Sequence, residues 1–325
     1  MRLRALCVTA LVLAGVASGQ AGRGLVLVGN RVAPLKYDGM TPEQRLMADH
    51  LMAGERGRRP GGPRGPFNVL MRSPEAGDFA QQFGEVMRFG TGLPKDVSEV
   101  IILMTGRYWG AQFEWASHKP AALDAGAKPE ILEAIRVGKR PAGMNRDTEI
   151  AYNFIDELLT THQVSDATFG AAKERYGVQG VVDMVGLSGW YGIVSMCLNL
   201  DQYPLDPGDK PALGALANPL PVVGAGFATP IPGKPDPVTV RSSANGKEFT
   251  LIGDRLRPPT WEQMTAEQKK FTEEALAGRG TGGSFPVSLH SPVMGRQLFG
   301  LGERVRFHMS VPDRLKELAI LLTAR

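Results

Sequence analysis

The sequence has little cysteine, little net charge and no long uncharged apolar run beyond its first residues. Only 2 of its 325 residues are cysteine, which excludes a disulfide scaffold and a four-cysteine zinc site. The formal net charge of +4 is too small over this length to form an electrostatic footprint for nucleic acid. Alternating apolar and polar residues are confined to short extended pieces near Leu27 and Leu251, so no β-sandwich or barrel is expected. Past the first twenty residues, no uncharged apolar stretch reaches the ~20 residues that span a bilayer. What is present fits a folded chain. A hydrophobic content of 43% excludes a mostly disordered protein. The 40 glycines and 24 prolines require long loops or linkers, and the length suffices for two domains.

The first residues read as a targeting segment. Arg2 and Arg4 precede an uncharged apolar run from Ala5 to Gly15, and the small residues Ala17, Ser18 and Gly19 follow. This is the layout of a secretory signal peptide over residues 1–20, with cleavage after Gly19 or Ala21. The mature chain is expected to be exported, periplasmic or secreted, without a membrane anchor. Removing Arg2 and Arg4 lowers the formal charge from +4 to +2. Loss of Cys7 leaves Cys197 with no partner for a disulfide or a redox pair.

Two parts of the chain match each other. Leu27 to Val32 corresponds to Leu251 to Leu256, and Met40-Thr41-Pro42-Glu43-Gln44 to Met264-Thr265-Ala266-Glu267-Gln268, both at an offset of 224. Ser73-Pro74 then pairs with Ser291-Pro292 at an offset of 218, continuing through Glu99 with Glu317 and Arg107 with Arg325. The six-residue change falls in the loop from Arg56 to Pro66, where insertion costs least. The expected organisation is a domain over residues 27–204, a Pro/Gly-rich linker over 205–250, and a second, truncated copy over 251–325.

Within the first copy the reading is helical throughout. Thr41-Pro42-Glu43-Gln44 offers an N-cap, a first-turn proline and a capping-box glutamine. Ser73-Pro74-Glu75 is expected to open a second helix in the same way, with Phe79, Phe83, Val86 and Met87 on one face. Further helices are expected from Asp96, over Phe113–Asp124, Lys128–Val137, Asp147–Thr161, Ser165–Tyr176 and Val178–Leu200. The fold class is all-α.

Chemistry concentrates between Arg107 and His118. Glu114 and His118 stand at i and i+4 on one helix face, where a carboxylate can fix an imidazole's tautomer and favour its charged form. Trp109, Phe113 and Trp115 would desolvate that pair. Glu99, one helix earlier in an apolar run, is a second carboxylate drawn into the core, with Arg107 or His118 as its partner. A Glu99–Arg107 pair reads equally as a structural ion pair or as part of a site. Two ligands are too few for a metal, so none is expected.

The order Ser73-Pro74, Glu99, Arg107, Phe113-Glu114-Trp115-Ala116-Ser117-His118 and Ala125-Gly126 resembles the carboxymuconolactone decarboxylase family. That superfamily also contains the alkylhydroperoxidase D proteins. The resemblance covers Met40 to Pro204 and, as the front of a second unit, Leu251 to Arg325. It implies alkylhydroperoxidase D-like helical domains that self-associate into trimers or hexamers. The peroxidase members carry a Cys-x-x-Cys pair whose positions here hold Ala111 and Glu114, so thiol peroxidase chemistry lacks both its sulfurs. The decarboxylase-like members imply a cofactor-free lyase acting on a small carboxylic acid or lactone. His118 is then the acid–base group, Glu114 sets its state, and Glu99 completes the catalytic set. Arg107, or an arginine of the loop carrying Arg56, Arg58, Arg59 and Arg64, would hold the substrate carboxylate. Trp109 and Trp115, with Trp190 and Tyr191, read either as pocket walls or as core. The alternatives are a peroxidase dependent on Cys197 and a non-catalytic oligomeric binding domain.

Overall fold

The capping box at Thr41 forms as its residue types require. Thr41 Oγ1 accepts from Gln44 N at 3.3 Å and Gln44 Oε1 accepts from Thr41 N at 3.0 Å, opening helix α1, Pro42–Ala53. The computed structural model describes residues 22–215, 238–241, 246, 248–251 and 255–324. The expected signal segment with Cys7, residues 216–237 of the expected linker, and Arg325 lie outside the described residues. After α1 come α2 (Phe67–Leu70), α3 (Pro74–Phe89), α4 (Lys95–Tyr108), α5 (Gln112–Asp124), α6 (Pro129–Arg136), α7 (Arg146–Thr160) and α8 (Asp166–Asp201). Ser73 departs from expectation: its side chain makes no cap bond, so Pro74, with φ pre-set for a first turn, is what opens α3. Gly177, at φ 70° and ψ 177°, breaks α8 between the two helices expected on either side of it.

Helix α4 is the centre of the larger hydrophobic core, with every residue from Val97 to Arg107 buried. Helices α5, α7 and α8 pack around it. Helix α8 is long and apolar enough to cross a membrane by length and composition, but 67% of its apolar window is buried in protein. Ser188, Ser195 and several glycines interrupt its apolar residues, so no unbroken run marks it in the sequence. Gly84 lets α3 approach α8 closely, because a Cβ there would meet Trp190 Cε2 at 2.2 Å.

The expected linker is structured at both ends. At its start, Leu205, Ala212 and Leu213 pack on the first core. Gln112 grips both backbone atoms of Leu213, donating to its carbonyl at 2.7 Å and accepting from its N–H at 2.9 Å. At its end, strand β1 (Val238–Arg241) pairs antiparallel with β2 (Glu248–Leu251), Val238 opposite Leu251. Val238, Val240 and Leu251 share a hydrophobic cluster with Trp261, Phe271 and Phe285. The second unit's core therefore includes residues from Val238 onward, earlier than the expected boundary at Leu251.

The second unit continues with α9 (Ala266–Ala277), α10 (Phe285–Ser288), α11 (Pro292–Phe307) and α12 (Asp313–Ala324). Its capping box, Thr265 with Gln268, has the same pattern as Thr41 with Gln44. Gln44 also donates to the Met71 carbonyl at 2.9 Å, and Gln268 to the Leu289 carbonyl at 3.0 Å. Helices α3 and α11, each 16 residues long, pack against one another. Arg304 pairs with Glu75 at 2.7 Å, and Ser291 donates to the buried Asp183 at 2.7 Å. The two-stranded ribbon is the only sheet among the described residues, and the chain is all-α.

Candidate active site

Gly110 sets the geometry of the site. At φ 63° it takes a backbone conformation that costs little only for glycine, reversing the chain between α4 and α5. The reversal sets Glu99 of α4 beside Glu114 and His118 of α5. His118 Nδ1 lies 2.7 Å from Glu99 Oε2, and His118 Nε2 lies 2.9 Å from Glu114 Oε1. The second approach is a charge contact rather than an aligned hydrogen bond, since Glu114 Oε1 is buried without a hydrogen-bond partner among the described residues. The ring is thus held between two carboxylates, Glu99 at Nδ1 and Glu114 at Nε2.

Glu99 is the most enclosed member, with 0% exposure. Its other oxygen, Oε1, is held by Arg88 at 2.6 Å and by Lys95 at 3.2 Å. Burial pushes the carboxyl pKa up, but the hydrogen bond and charge of His118, then Arg88 and Lys95, outweigh it and hold the value at about 2. For His118, burial disfavours the charged ring, and the neighbouring Glu114 and the bond to Glu99 more than offset this, raising its pKa. The two directions agree: carboxylate and imidazolium stabilise one another.

His118 and Glu114 line a cavity of about 410 Å³, large enough for a small organic acid. The loop between α1 and α2 roofs it with Arg56, Arg59 and Arg64. Arg56 pairs with Glu85 at 2.5 Å, and Arg64 pairs with Asp206. Arg59 makes no ion pair with any described residue; its guanidinium lies 5.4 Å from the centre of the Phe89 ring. Phe113, Trp190 and Tyr191 supply apolar wall. The electrostatic character is cationic around a carboxylate-clamped imidazole.

Three expected site residues lie elsewhere. Arg107 does not face the cavity; it donates to the Gly214 carbonyl at 2.9 Å and so fastens the wrapping segment to the core. Trp115 is 1% exposed and packs in the core, and Trp109 is 39% exposed, standing edge-on to Tyr108. Neither tryptophan lines the cavity. The physical reason is helical phase: Trp115 is one residue on from Glu114 and points about 100° away from it, into the apolar side of α5. The partner of Glu99 is therefore Arg88 with His118, not Arg107. Arg88 and Lys95 carried no motif, but the internal match did hold a signal. Arg88 and Glu99 recur together as Arg306 and Glu317 at the 218 offset.

Cys197 is half-buried on α8 and outside the cavity lining, and burial pushes its thiol up to about 11. Among the described residues no group of three or more His, Cys, Asp or Glu side chains is arranged to hold a metal ion. No protein-family model matches the chain, and no curated protein does.

Proposed function

We propose that the cavity is the active site of a cofactor-free acid–base enzyme acting on a small carboxylic acid or lactone, with decarboxylation as its reaction. The observation that carries this reading is His118, clamped by Glu99 at Nδ1 and lining a cation-rimmed cavity. The resemblance of the Arg107–His118 region to carboxymuconolactone decarboxylases supplies the reaction class. Arg59, a cavity cation with no carboxylate partner among the described residues, receives the substrate carboxylate. As the carbon–carboxylate bond breaks, carbon dioxide leaves and the electron pair passes into the conjugated lactone carbonyl. The His118 imidazolium then delivers its Nε2 proton to carbon and regains one from solvent. Glu99 and Glu114 keep the ring charged and oriented between turnovers. The same reading takes residues 1–20 as an export signal, the two matching regions as tandem copies of one alkylhydroperoxidase D-like domain, and the assembly as a trimer or hexamer of this chain.

The test is release of carbon dioxide from carboxymuconolactone by the full chain. His118→Asn is expected to lower the rate by about 10²- to 10⁴-fold while circular dichroism stays unchanged. Equal rates in the variant and the unmutated protein, or no release by either, would overturn the reading.

A further inference from the structure

Tyr191 of α8 lines the same cavity and takes no part in the ion-pair chain. Its ring stands edge-on to His118, at 5.1 Å between centroids and an interplanar angle of 81°. The residue is 4% exposed, yet its hydroxyl makes no hydrogen bond with any described residue. A tyrosine buried this deeply ordinarily spends its hydroxyl on a partner. Tyr203, stacked on Phe113, does so by accepting from the Gly65 N–H at 3.3 Å. Burial raises the Tyr191 pKa, against the pull of the Arg88 and Arg56 guanidiniums, so the hydroxyl keeps its proton and is a donor. Arg56 and Arg88 are each matched by a carboxylate, Glu85 and Glu99. Among the described residues, the Tyr191 hydroxyl and the Arg59 guanidinium at the rim are thus cavity donors with neither a hydrogen bond nor a carboxylate partner.

We infer that Tyr191 is a catalytic hydrogen-bond donor, which receives the oxyanion formed on the substrate while His118 protonates its carbon. In the decarboxylation above, the electron pair of the broken carbon–carbon bond ends on the lactone carbonyl oxygen, and the Tyr191 O–H donates to that oxygen. When His118 transfers its proton to carbon, the pair returns and the oxygen becomes a carbonyl again. A donor fixed by the fold is worth more than one from water, because it is already oriented when the charge appears. The inference rests on the acid–base reading of the site but names a separate group.

The experiment is calorimetric titration of the unmutated chain and Tyr191→Phe with two probes, 4-nitrophenolate as the oxyanion and benzoate as a carboxylate. Since the hydroxyl has no partner among the described residues, the variant is expected to melt at the same temperature as the unmutated chain. Its affinity for 4-nitrophenolate should fall by about 10- to 100-fold and its affinity for benzoate should not change. Unchanged 4-nitrophenolate affinity, an equal loss for both probes, or no phenolate binding by the unmutated chain would each overturn the inference. Tyr191→Leu answers the same question if Tyr191→Phe fails to fold. Where carboxymuconolactone is turned over, Tyr191→Phe should lower kcat about 10²- to 10³-fold with KM unchanged. Loss of phenolate binding without lactone turnover would leave Tyr191 as the donor and remove the decarboxylase reading. Lactone turnover with kcat intact in Tyr191→Phe would do the reverse.

Discussion

The same arginine and glutamate stand in two very different places. Arg88 and Glu99 join α3 to α4 at 2.6 Å, almost wholly removed from solvent. Arg306 and Glu317 join α11 to α12 at 3.0 Å, with both side chains about half exposed. The residue types and their 218-residue offset are shared, and so are the capping boxes before them. What differs is the cover. Helices α5, α7 and α8 pack over α4, whereas the apolar side chains of α12 face solvent. One ion pair becomes the anchor of a buried imidazole, and the other remains a solvated surface contact. An ion pair therefore acquires chemical meaning from the layer above it, through desolvation, and not from its own two residues.

Removing one arginine from each pair breaks the comparison most strongly. Arg88→Ala leaves Glu99 charged and buried with part of its compensation gone, at a cost of about 3 to 5 kcal/mol. Arg306→Ala is expected to cost under about 1 kcal/mol. Urea unfolding of the two variants is the check, and equal losses would show that cover does not decide the matter.

The apolar faces give the next largest contrast. Leu103 of α4 is fully buried, and its counterpart Leu321 of α12 is 67% exposed. Leu103→Ala should cost about 2 to 5 kcal/mol, and Leu321→Ala within about 0.5 kcal/mol. Thermal melts of both variants measure the difference; comparable drops would mean that α12 is covered in solution.

The smallest effect is a dependence on pH that belongs to the buried Glu99–His118 pair. The Glu99 pKa is lowered from 4.5 to about 2. Its contribution is therefore complete above about pH 4.5 and is lost as the pH falls toward about 2. The His118 pKa is raised above 6.5, so its contribution is complete below about pH 6.5 and lost as the pH rises through the raised value. Stability from this pair should peak between those limits. Glu99→Gln should flatten the acid side when unfolding is followed at about pH 3 and about pH 5.5; an unchanged acid limb would place that titration on another group.

Much of the fold was legible because helices announce themselves locally. Thr41 with Gln44, the proline at position 74 and the glycine at 177 each act within a turn of where they stand. Glu114 and His118 were legible for the same reason, being one helical turn apart. Glu99 was legible as a carboxylate in an apolar run, with His118 as one of its two candidate partners, but its arginine was not. Arg88 lies 11 residues earlier on another helix, and Arg107 was an equally good candidate by composition. The choice between pocket wall and core for Trp109 and Trp115 was not legible, because aromatic content carries no direction. The loop before α2 was legible as a source of cations, but which of its arginines stand over the cavity depends on the fold.

The sequence by itself determined the helical class, the helix starts, the matched regions and the i, i+4 pairing of carboxylate with imidazole. All of these depend on residues within a few turns of each other, or on residue identity alone. Only the tertiary structure decided which arginine meets Glu99, that Arg107 ties down the segment near Gly214, and that Tyr191 stands beside His118 with its hydroxyl unspent. Those are facts about side chains brought together from distant helices, and about how much water is left between them. Local sequence carries no information on either until the layers close.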